Sequence, residues 1–325
     1  MLYPLKFIPL YKEKIWGGSK FTTALGRDDL PSGNWGESWE ISGVYGNISI
    51  VKNGFLKNNS LQELVDIYMG DLVGDKVFDK FGYEFPLLIK FIDANDILSL
   101  QVHPDDELAK KRHSAFGKTE MWYVLEADND AELITGFNKS LNKEQFKKYF
   151  DNGKIKEILN YEKVNNGDSF FIPAGRIHAT GAGILFAEIQ QTSNITYRVY
   201  DWDRKNNDGL SRELHSELAI DALDLKKQDN YRNDYLKRKN QVNNILTCNY
   251  FTCNYHHITK KCSFDYNKID SFVIYICTEG KFDLYNKEKE TLKVTKGESV
   301  LIPAVLDEIE IIPYESTKIL EVYIA

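Results

Sequence analysis

The pattern of apolar and polar positions is dominated by short apolar runs that glycine and asparagine turns separate. Residues 85–94 and 98–103 predict two paired buried strands, and residues 38–51 predict a hairpin around a Tyr-Gly-Asn turn. Further strands are predicted at residues 121–127, 131–136, 169–172, 184–190, 249–256, 271–277, 281–284, 299–302, 309–312 and 319–324. Many short strands of this kind are typical of a sandwich or barrel, so the sequence predicts a mainly β protein.

Helical periodicity is limited to three stretches. Residues 60–69 begin with a Ser-x-x-Glu capping box and place their apolar side chains on one helical face. Residues 142–159 predict a second helix that an Asn-Gly pair interrupts, and residues 211–223 predict a third. The polar and charged stretch 226–244 that follows predicts a surface linker.

One strand-and-turn pattern occurs twice in the chain. Residues 167–174 read GDSFFIPA, and residues 297–304 read GESVLIPA. Such a repeat indicates two related β domains joined near residue 235. The first copy is followed by His178, whereas the corresponding position after the second copy is Glu308. We therefore expect a functional site in the first domain and not in the second.

Length and composition agree with this division and exclude several classes of protein. A chain of 325 residues exceeds the roughly 250–300 residues that one core supports, which fits domains at 1–235 and 236–325. A net charge of -7 argues against a nucleic-acid binder. The apolar runs are too short to span a membrane, and the N-terminus does not resemble a signal peptide. Four scattered cysteines indicate reduced thiols, and hence a cytoplasmic protein.

Candidate chemistry lies in two short motifs of the first domain. Gln101 and His103, in the motif QVHP, are two positions apart and would share one face of a strand. His178 ends a Gly-x5-Pro-x-Gly-x2-His motif, and Glu120 opens the strand that follows the His103 loop. A single histidine is more often a hydrogen-bonded core residue. Together, however, these four side chains form a plausible nitrogen and oxygen site for a divalent cation, with zinc the first choice.

The histidine motif matches the second signature of the cupin family, and longer blocks carry a more specific resemblance. These blocks are IWGG (15–18), GESWEIS (36–42), KFIDA and LSLQVHPDDE (within 90–107), GKTEMWY (117–123), IPAGRIHA (172–179) and TYRVYDWDR (196–204). In this order they resemble the short bacterial form of the class I mannose-6-phosphate isomerase family. The resemblance covers roughly residues 3–220, and the remainder agrees only in length and strand content.

The resemblance implies two cupin-like jelly-roll domains and a zinc-dependent aldose–ketose isomerase. The implied reaction interconverts mannose 6-phosphate and fructose 6-phosphate through a cis-enediol, with one zinc ion per chain. The partner would be a small phosphosugar, not a nucleic acid or a membrane, and the enzyme would be a monomer or homodimer. The family's metal ligands correspond to Gln101, His103, Glu120 and His178.

The same resemblance implies the catalytic and substrate-binding residues. The family's essential arginine corresponds to Arg198 and its active-site lysine to Lys118, while Lys90 and Glu37 match positions that line its pocket. Glu188, on the strand after the second cupin motif, is a further candidate carboxylate. Arg198 would stabilise the enediolate or contact the phosphate. Lys118 would bind phosphate or act as the base, and the residues alone leave the base unassigned.

The chain also departs from the longer family members. It has Gly117 where they have a histidine, and it has Ala179 and Thr180 where they have a tyrosine. In place of their large helical insertion it has only the short stretch 142–159. Proton transfer by either of those side chains therefore cannot be carried over.

Three alternatives remain open from the sequence. One is another two-cupin metalloenzyme, such as an iron-dependent dioxygenase, which metal identity would distinguish. Another is a sugar-binding module without activity, since fold does not determine function. For Arg198 the alternative is a surface ion pair with Asp201 or Asp203. The C-terminal domain is expected to cover the open edge of the first sheet.

Overall fold

A computed structural model describes residues 2–205, 209–287 and 291–325, and these residues form 22 strands and seven α-helices. The first thirteen strands are β1 (Phe7–Ile8), β2 (Leu10–Gly18), β3 (Trp35–Ser42), β4 (Ile50–Val51), β5 (Leu87–Ala94), β6 (Leu100–Val102), β7 (Glu120–Ala127), β8 (Glu132–Phe137), β9 (Leu159–Lys163), β10 (Ser169–Ile172), β11 (His178–Thr180), β12 (Ile184–Gln191) and β13 (Tyr197–Tyr200). The remaining strands are β14 (Val242–Thr247), β15 (Thr252–Ile258), β16 (Cys262–Asp265), β17 (Val273–Glu279), β18 (Lys281–Asn286), β19 (Thr291–Thr295), β20 (Ser299–Ile302), β21 (Glu308–Pro313) and β22 (Thr317–Tyr323).

All of the helices precede the C-terminal strands. They are α1 (Lys20–Thr23), α2 (Leu61–Tyr68), α3 (Gly70–Val73), α4 (Asp75–Phe81), α5 (Asp106–His113), α6 (Lys143–Asp151) and α7 (Ser216–Ala222), with a 3₁₀ turn at Ile155–Ile158. None of the helices in the described part of the chain is long and apolar enough to cross a membrane.

The strands form two double-sheet units. In the first unit a six-stranded sheet, ordered β10-β7-β12-β5-β3-β2, accompanies a five-stranded sheet, ordered β13-β6-β11-β8-β9. In the second unit the sheets are ordered β14-β15-β22-β17-β20 and β16-β21-β18-β19. Neighbouring strands within these sheets are antiparallel, as in jelly rolls. The prediction of a mainly β protein with two cupin-like jelly rolls is confirmed. The predicted boundary at 235/236 lies between α7 and β14 and stays a prediction.

The alternation of side chains along β12 explains how the first unit is built. Leu185, Ala187 and Ile189 belong to an apolar cluster that the two units share. The alternating residues Phe186 and Glu188 instead line the interior of the first jelly roll. One strand therefore contributes to the core between the units with one face and to a polar interior with the other.

The shared apolar cluster shows where the second unit sits. Ile89 and Met121 of the six-stranded sheet belong to one buried cluster with Ile274, Leu320 and Val322 of the second unit. The C-terminal domain therefore covers a face of the first sheet, and the expectation that it covers the open edge is wrong. On the far side of the first unit, a separate cluster joins the five-stranded sheet to α6, the 3₁₀ turn and α7.

The predicted helices are largely confirmed, but two predicted strand pairings are wrong. Ser60 and Glu63 form the capping box of α2, and the break in 142–159 separates α6 from the 3₁₀ turn. The third helix begins later than predicted, at Ser216. Strand β4 pairs with β1 and not with β3, so residues 38–51 are not a hairpin. Strands β5 and β6 lie in different sheets, and so they do not pair with each other.

The repeated sequence pattern folds in the same way in both units. Gly167 and Gly297 have φ angles of 80° and 81°, and their amides donate to Val124 and Cys277 of the neighbouring strand. The carboxylates of Asp168 and Glu298 each accept a backbone N–H three residues earlier. Each turn leads into an edge strand, β10 or β20, of its sheet. The repeat is thus one local structure that occurs twice.

Candidate active site

A cavity of about 310 Å³ lies inside the first jelly roll, and side chains from both of its sheets line it. The lining includes all nine residues named from the sequence: Glu37, Lys90, Gln101, His103, Lys118, Glu120, His178, Glu188 and Arg198. The six-stranded sheet carries four of them on β3, β5, β7 and β12, and the five-stranded sheet carries three on β6, β11 and β13. His103 and Lys118 lie in the chain between β6 and β7.

Two imidazoles and one carboxylate meet deep in this cavity. The Nε2 atoms of His103 and His178 each lie 3.5 Å from a different oxygen of Glu120, and all three side chains are buried. The Nδ1 atoms lie 3.1 and 2.9 Å from the carbonyl oxygens of Ile195 and Arg176. Because a carbonyl only accepts, each Nδ1 carries the proton and each Nε2 presents a lone pair. Burial supports these neutral rings, since it lowers the pKa of His178 to about 4 and the pKa of His103 well below its usual value.

The chemistry of this donor set fits a divalent cation. His103 Nε2 and Glu120 Oε1 are inaccessible to solvent and make no hydrogen bond in the described structure, and the described partner of Glu120 Oε2 is Lys118 Nζ at 3.2 Å. Ligand atoms of His103, Glu120 and His178 lie within 4.8 Å of one another. Buried polar atoms without partners are costly unless a ligand satisfies them. The cluster can therefore hold a metal ion.

Gln101 lies beside this cluster in the five-stranded sheet. It is the cross-strand partner of His178 on β11 and of Arg198 on β13. Cross-strand partners point to the same face of a sheet, so the three side chains form one row along the cavity wall. The amide nitrogen of Gln101 donates to the carbonyl of Ser99 at 3.4 Å.

Opposite charges alternate on the facing wall. Lys118 Nζ lies 3.2 Å from Glu120, and Lys90 Nζ lies 2.9 Å from Glu188, which also accepts from Trp122 Nε1 at 3.1 Å. Burial opposes charge on Glu188, but Lys90 and Lys118 outweigh it and hold the pKa of Glu188 at about 2. Burial likewise works against charge on Lys118, but Glu120 and Glu188 raise the pKa of Lys118 above its usual value. Burial raises the pKa of Glu120, and Lys118 partly offsets this.

Glu37, which also lines the cavity, is held by a lysine and a tryptophan, as Glu188 is. Its carboxylate accepts from Lys14 at 2.9 Å and from Trp39 Nε1 at 2.7 Å. Burial would raise the pKa of Glu37, but Lys90 and Lys14 lower it. Lys90 also lies over the ring of Trp39, 5.1 Å from its centroid. The wall therefore presents fixed carboxylates and ammonium groups to whatever occupies the cavity.

Two guanidinium groups line the other side of the opening. Arg198 donates from Nη1 to the carbonyl of Glu213 at 2.8 Å, and its buried Nε has no hydrogen-bond partner among the residues that the structure describes. Burial and the neighbouring Arg212 lower the pKa of Arg198. The two carboxylates proposed as alternative partners of Arg198 are engaged elsewhere: Asp201 pairs with Arg204 and Arg212, and Asp203 accepts from Tyr200 OH at 2.6 Å. The charge of Arg198 is thus not neutralised by a described carboxylate contact.

Sequence reasoning missed two basic residues of this cavity. Lys14 immediately precedes the IWGG block, so its position beside a recognised motif was a usable signal. Arg212 lies in an irregular segment between β13 and α7, and no periodicity marks it. It reaches the cavity because His215 N donates to the carbonyl of Arg198, which holds this segment against β13.

Comparison with known proteins agrees with this architecture. A family model for the catalytic domain of type I phosphomannose isomerase matches residues 4–142, and a model for the mannose-6-phosphate isomerase cupin domain matches residues 241–317. The mannose-6-phosphate isomerase ManA of Bacillus subtilis is 35% identical over 322 residues, which is 96% of each chain. The chain belongs to the mannose-6-phosphate isomerase family.

Other members of the mannose-6-phosphate isomerase family support this assignment. The enzyme of Streptococcus mutans is 39% identical over 251 residues, or 77% of each chain. A crystal structure of the Bacillus subtilis mannose 6-phosphate isomerase covers 98% of this chain and 99% of its own, with a TM-score of 0.88 and 31% identity. The predicted family and the prediction of an isomerase are confirmed, and the dioxygenase and binding-module alternatives are set aside.

Proposed function

We propose that this protein interconverts mannose 6-phosphate and fructose 6-phosphate through a cis-enediol, with one zinc ion per chain. The observation that carries the proposal is the buried group of His103, Glu120 and His178 inside a cavity whose opening carries Arg198 and Arg212. A volume of about 310 Å³ is at the lower end of the range for small-molecule sites, about 300–1,000 Å³. A metabolite-sized phosphosugar is the kind of ligand that this space takes.

Gln101, His103, Glu120 and His178 would hold the zinc ion. Two neutral imidazoles, a carboxylate and an amide oxygen suit a borderline cation, and zinc is redox-inert, which suits an isomerisation. When bound, the ion would supply Lewis acidity for negative charge that develops on the substrate's O1 or O2. The carbonyls of Ile195 and Arg176 fix the two rings for this role.

Arg198 and Arg212 would receive the phosphate at the opening of the cavity. A guanidinium stays charged and offers a planar fork to phosphate oxygens. The Nε of Arg198 has no partner in the described part of the chain, and Arg212 lines the same cavity. The sugar would then extend inward, toward the carboxylates and ammonium groups of the facing wall.

Lys118 is proposed as the group that moves the proton between C1 and C2 when the cation is bound. Burial lowers the pKa of Lys118 and Glu120 raises it, and a cation held by Glu120 would offset the effect of Glu120, whereas that of burial would remain. It is buried next to Glu120 and faces the interior of the cavity. The competing carboxylate, Glu188, has its pKa held at about 2 by Lys90 and is therefore a weak base near neutral pH. Glu188, Lys90 and Glu37 would instead orient the sugar hydroxyls.

The test is the interconversion of the two phosphosugars by purified protein before chelation, after chelation and after zinc is added back. We expect activity to disappear with the metal and to return with zinc. A metal-loaded protein that leaves both sugars unchanged would contradict the proposed reaction. Activity that a chelator does not reduce, with the metal shown to be absent, would contradict the role of zinc.

The ligand set has its own test. His178→Ala should lower zinc affinity by about tenfold or more, because it removes a ligand. His257→Ala is the matched control, since His257 lies on β15 of the C-terminal domain and contacts Ser316. Metal analysis after dialysis against a weak chelator measures both variants. Equal zinc content in the two variants would contradict the proposed site.

A further inference from the structure

The short segment that leads into β7 is held by side chains from elsewhere in the chain. Gly117 N donates to Asp106 Oδ1 at 2.9 Å, and Thr119 N donates to Gln191 Oε1 at 2.8 Å. Lys118 lies between these two anchored residues, and Glu120 follows them. Asp106 and Gln191 therefore anchor both sides of Lys118, in addition to the backbone hydrogen bonds from Lys118 N to Pro104 O and from Gln191 N to Thr119 O.

Asp106 connects the anchors to each other and to a distant tyrosine. Its Oδ1 also accepts from Gln191 Nε2 at 2.9 Å, and its Oδ2 accepts from Tyr250 OH at 2.7 Å. A continuous series of hydrogen bonds thus joins Tyr250, Asp106, Gln191 and Thr119. Asp106, Gln191 and Tyr250 are not among the residues that line the cavity.

The charge on Asp106 strengthens this series. Burial raises the pKa of Asp106, but the hydrogen bonds from Tyr250, Gln191 and Gly117 outweigh it, and the pKa is lowered. Hydrogen bonds to a carboxylate are stronger than those between neutral groups. The N-terminus of α5 does not need this carboxylate as its cap, because Asp105 already accepts from Leu108 N at 2.8 Å.

Gly117 lets the segment lie directly against the start of α5. A Cβ at this position would come within 2.6 Å of Asp106 N and 2.7 Å of the carbonyl carbon of Asp105. Any larger residue would push the segment away from Asp106. The close approach explains why the chain has glycine immediately before Lys118.

Tyr250 comes from the other domain. It lies in the turn between β14 and β15, where Cys248 N donates to the carbonyl of Phe251 at 3.0 Å. Its ring packs against the apolar cluster that the two units share. Its hydroxyl therefore reaches Asp106 from a ring that packs against the shared cluster.

We propose that Asp106 and Tyr250 are positioning residues, through which the C-terminal domain sets the places of Lys118 and Glu120. Misplacement of a catalytic group by about 1 Å lowers turnover strongly, so weakening either bond should reduce catalysis without altering the cavity lining. The inference rests on the proposed function: its kinetic test needs the isomerase activity, whereas its metal-affinity test needs only the proposed zinc site.

Three variants test the proposal. Tyr250→Phe keeps the ring and removes the hydroxyl, and we expect it to lower kcat about threefold. Asp106→Ala should lower kcat about tenfold or more, because it releases Gly117 and Gln191 as well. The kcat of the double variant should equal that of Asp106→Ala, because both substitutions break the same series of hydrogen bonds. KM should change little, because the basic residues at the opening are untouched.

Zinc affinity, measured by competition with a chromophoric chelator, should fall in the same order as kcat. Asp106→Asn should have a higher kcat and a higher zinc affinity than Asp106→Ala, because an amide oxygen can still accept from Gly117 and Gln191. Tyr314→Phe is the matched control: Tyr314 OH donates to Asp283 at 2.8 Å on the exposed outer sheet of the same domain. That variant should equal the wild type in kcat and in zinc affinity.

The outcomes separate this inference from the proposed function. If Tyr250→Phe matches Tyr314→Phe in both measurements, or if the effects of Tyr250→Phe and Asp106→Ala are additive, the positioning role is overturned. If the wild type does not isomerise the phosphosugar, the proposed function fails, and the chelator competition still decides the inference. If Asp106→Ala does not fold, Tyr250→Phe decides the test, provided that its thermal midpoint equals that of the control.

Discussion

At the scale of single residues, Glu120 is the centre of the site. It is fully buried, it faces two imidazoles, and its Oε2 forms an ion pair with Lys118 Nζ at 3.2 Å, while its Oε1 accepts no hydrogen bond in the described structure. Lys118 offsets only part of the cost of burying this carboxylate, so a further cation would stabilise it. We therefore expect bound zinc to stabilise the folded protein as well as to support catalysis.

Lys118 permits a test that separates charge from proton transfer. Lys118→Arg keeps a positive charge but cannot give up a proton near neutral pH, whereas Lys118→Met loses both properties. If the lysine moves the proton, both variants should lose about 100-fold or more in kcat. Steady-state assays at matched zinc content measure this. An arginine variant with most of the wild-type activity would show that only the charge matters.

Asp93 should make stability depend on pH. It is buried on β5, its Oδ2 accepts from Lys20 N at 2.6 Å, and its Oδ1 has no partner in the described structure. Burial raises its pKa to about 6, against 3.8 in the unfolded chain. The stability that the protonated form provides is fully present below pH 3.8 and is lost as the pH rises through about 6.

Asp93→Asn removes that loss, since an amide is neutral at every pH and its oxygen can still accept from Lys20. The difference in free energy of unfolding between the variant and the wild type should therefore increase, in favour of the variant, by about 2–3 kcal/mol between pH 4 and pH 7. Urea unfolding across this range measures the difference. Asp130→Asn is the control, because the pKa of the exposed Asp130 is lowered and it titrates below this range. Parallel curves for Asp93→Asn and the wild type would contradict the prediction.

At the scale of elements, the sequence predicted which face a side chain occupies better than which strands pair. The alternation of Gln101 and His103 predicted a shared face, and both line the cavity. The pairing of residues 85–94 with 98–103 was wrong because consecutive strands of a jelly roll cross between sheets. Side-chain alternation carries no information on the partner strand. Helix α5 was missed because its sequence is polar and charged, with Ala109 its one buried residue.

The capping box of α2 offers a test at this scale. Ser60 Oγ accepts from Glu63 N, and Glu63 Oε2 accepts from Ser60 N. Ser60→Ala should lower the free energy of unfolding by about 1 kcal/mol and leave kcat unchanged, because α2 does not line the cavity. Ser60→Thr keeps the cap and is the control. Equal urea midpoints for the alanine and threonine variants would contradict the capping role.

At the scale of the whole molecule, the six-stranded sheet is buried on both faces. One face borders the cavity and the other packs on the C-terminal jelly roll. The repeated turn predicted two related β domains, but not their contact. The sequence of β5, LLIKFIDA, carried the signal, because apolar residues occupy both of its faces, whereas a strand with one solvent-exposed face would alternate with polar residues.

The shared core should make the two domains unfold together. Leu320→Ala in β22 removes a fully buried side chain from the shared cluster, and a loss of about 2–5 kcal/mol is expected. All five tryptophans precede residue 235, so tryptophan fluorescence reports on the first domain. In the Leu320→Ala variant, we expect the unfolding transitions that fluorescence and circular dichroism report to shift by the same amount. Ile312→Ala, on the outer sheet, is the control, and an unshifted fluorescence transition would contradict the coupling.

The place of β22 in its sheet has a consequence for synthesis on the ribosome. It is the last described strand along the chain, yet it lies between β15 and β17 in the sheet that covers the first domain. Until β22 emerges from the exit tunnel, the flanking strands lack their shared partner, and the apolar face of the catalytic domain lacks its cover. The apolar face of the first domain therefore stays exposed until β22 has been translated, and an intermediate with exposed apolar surface is prone to aggregate.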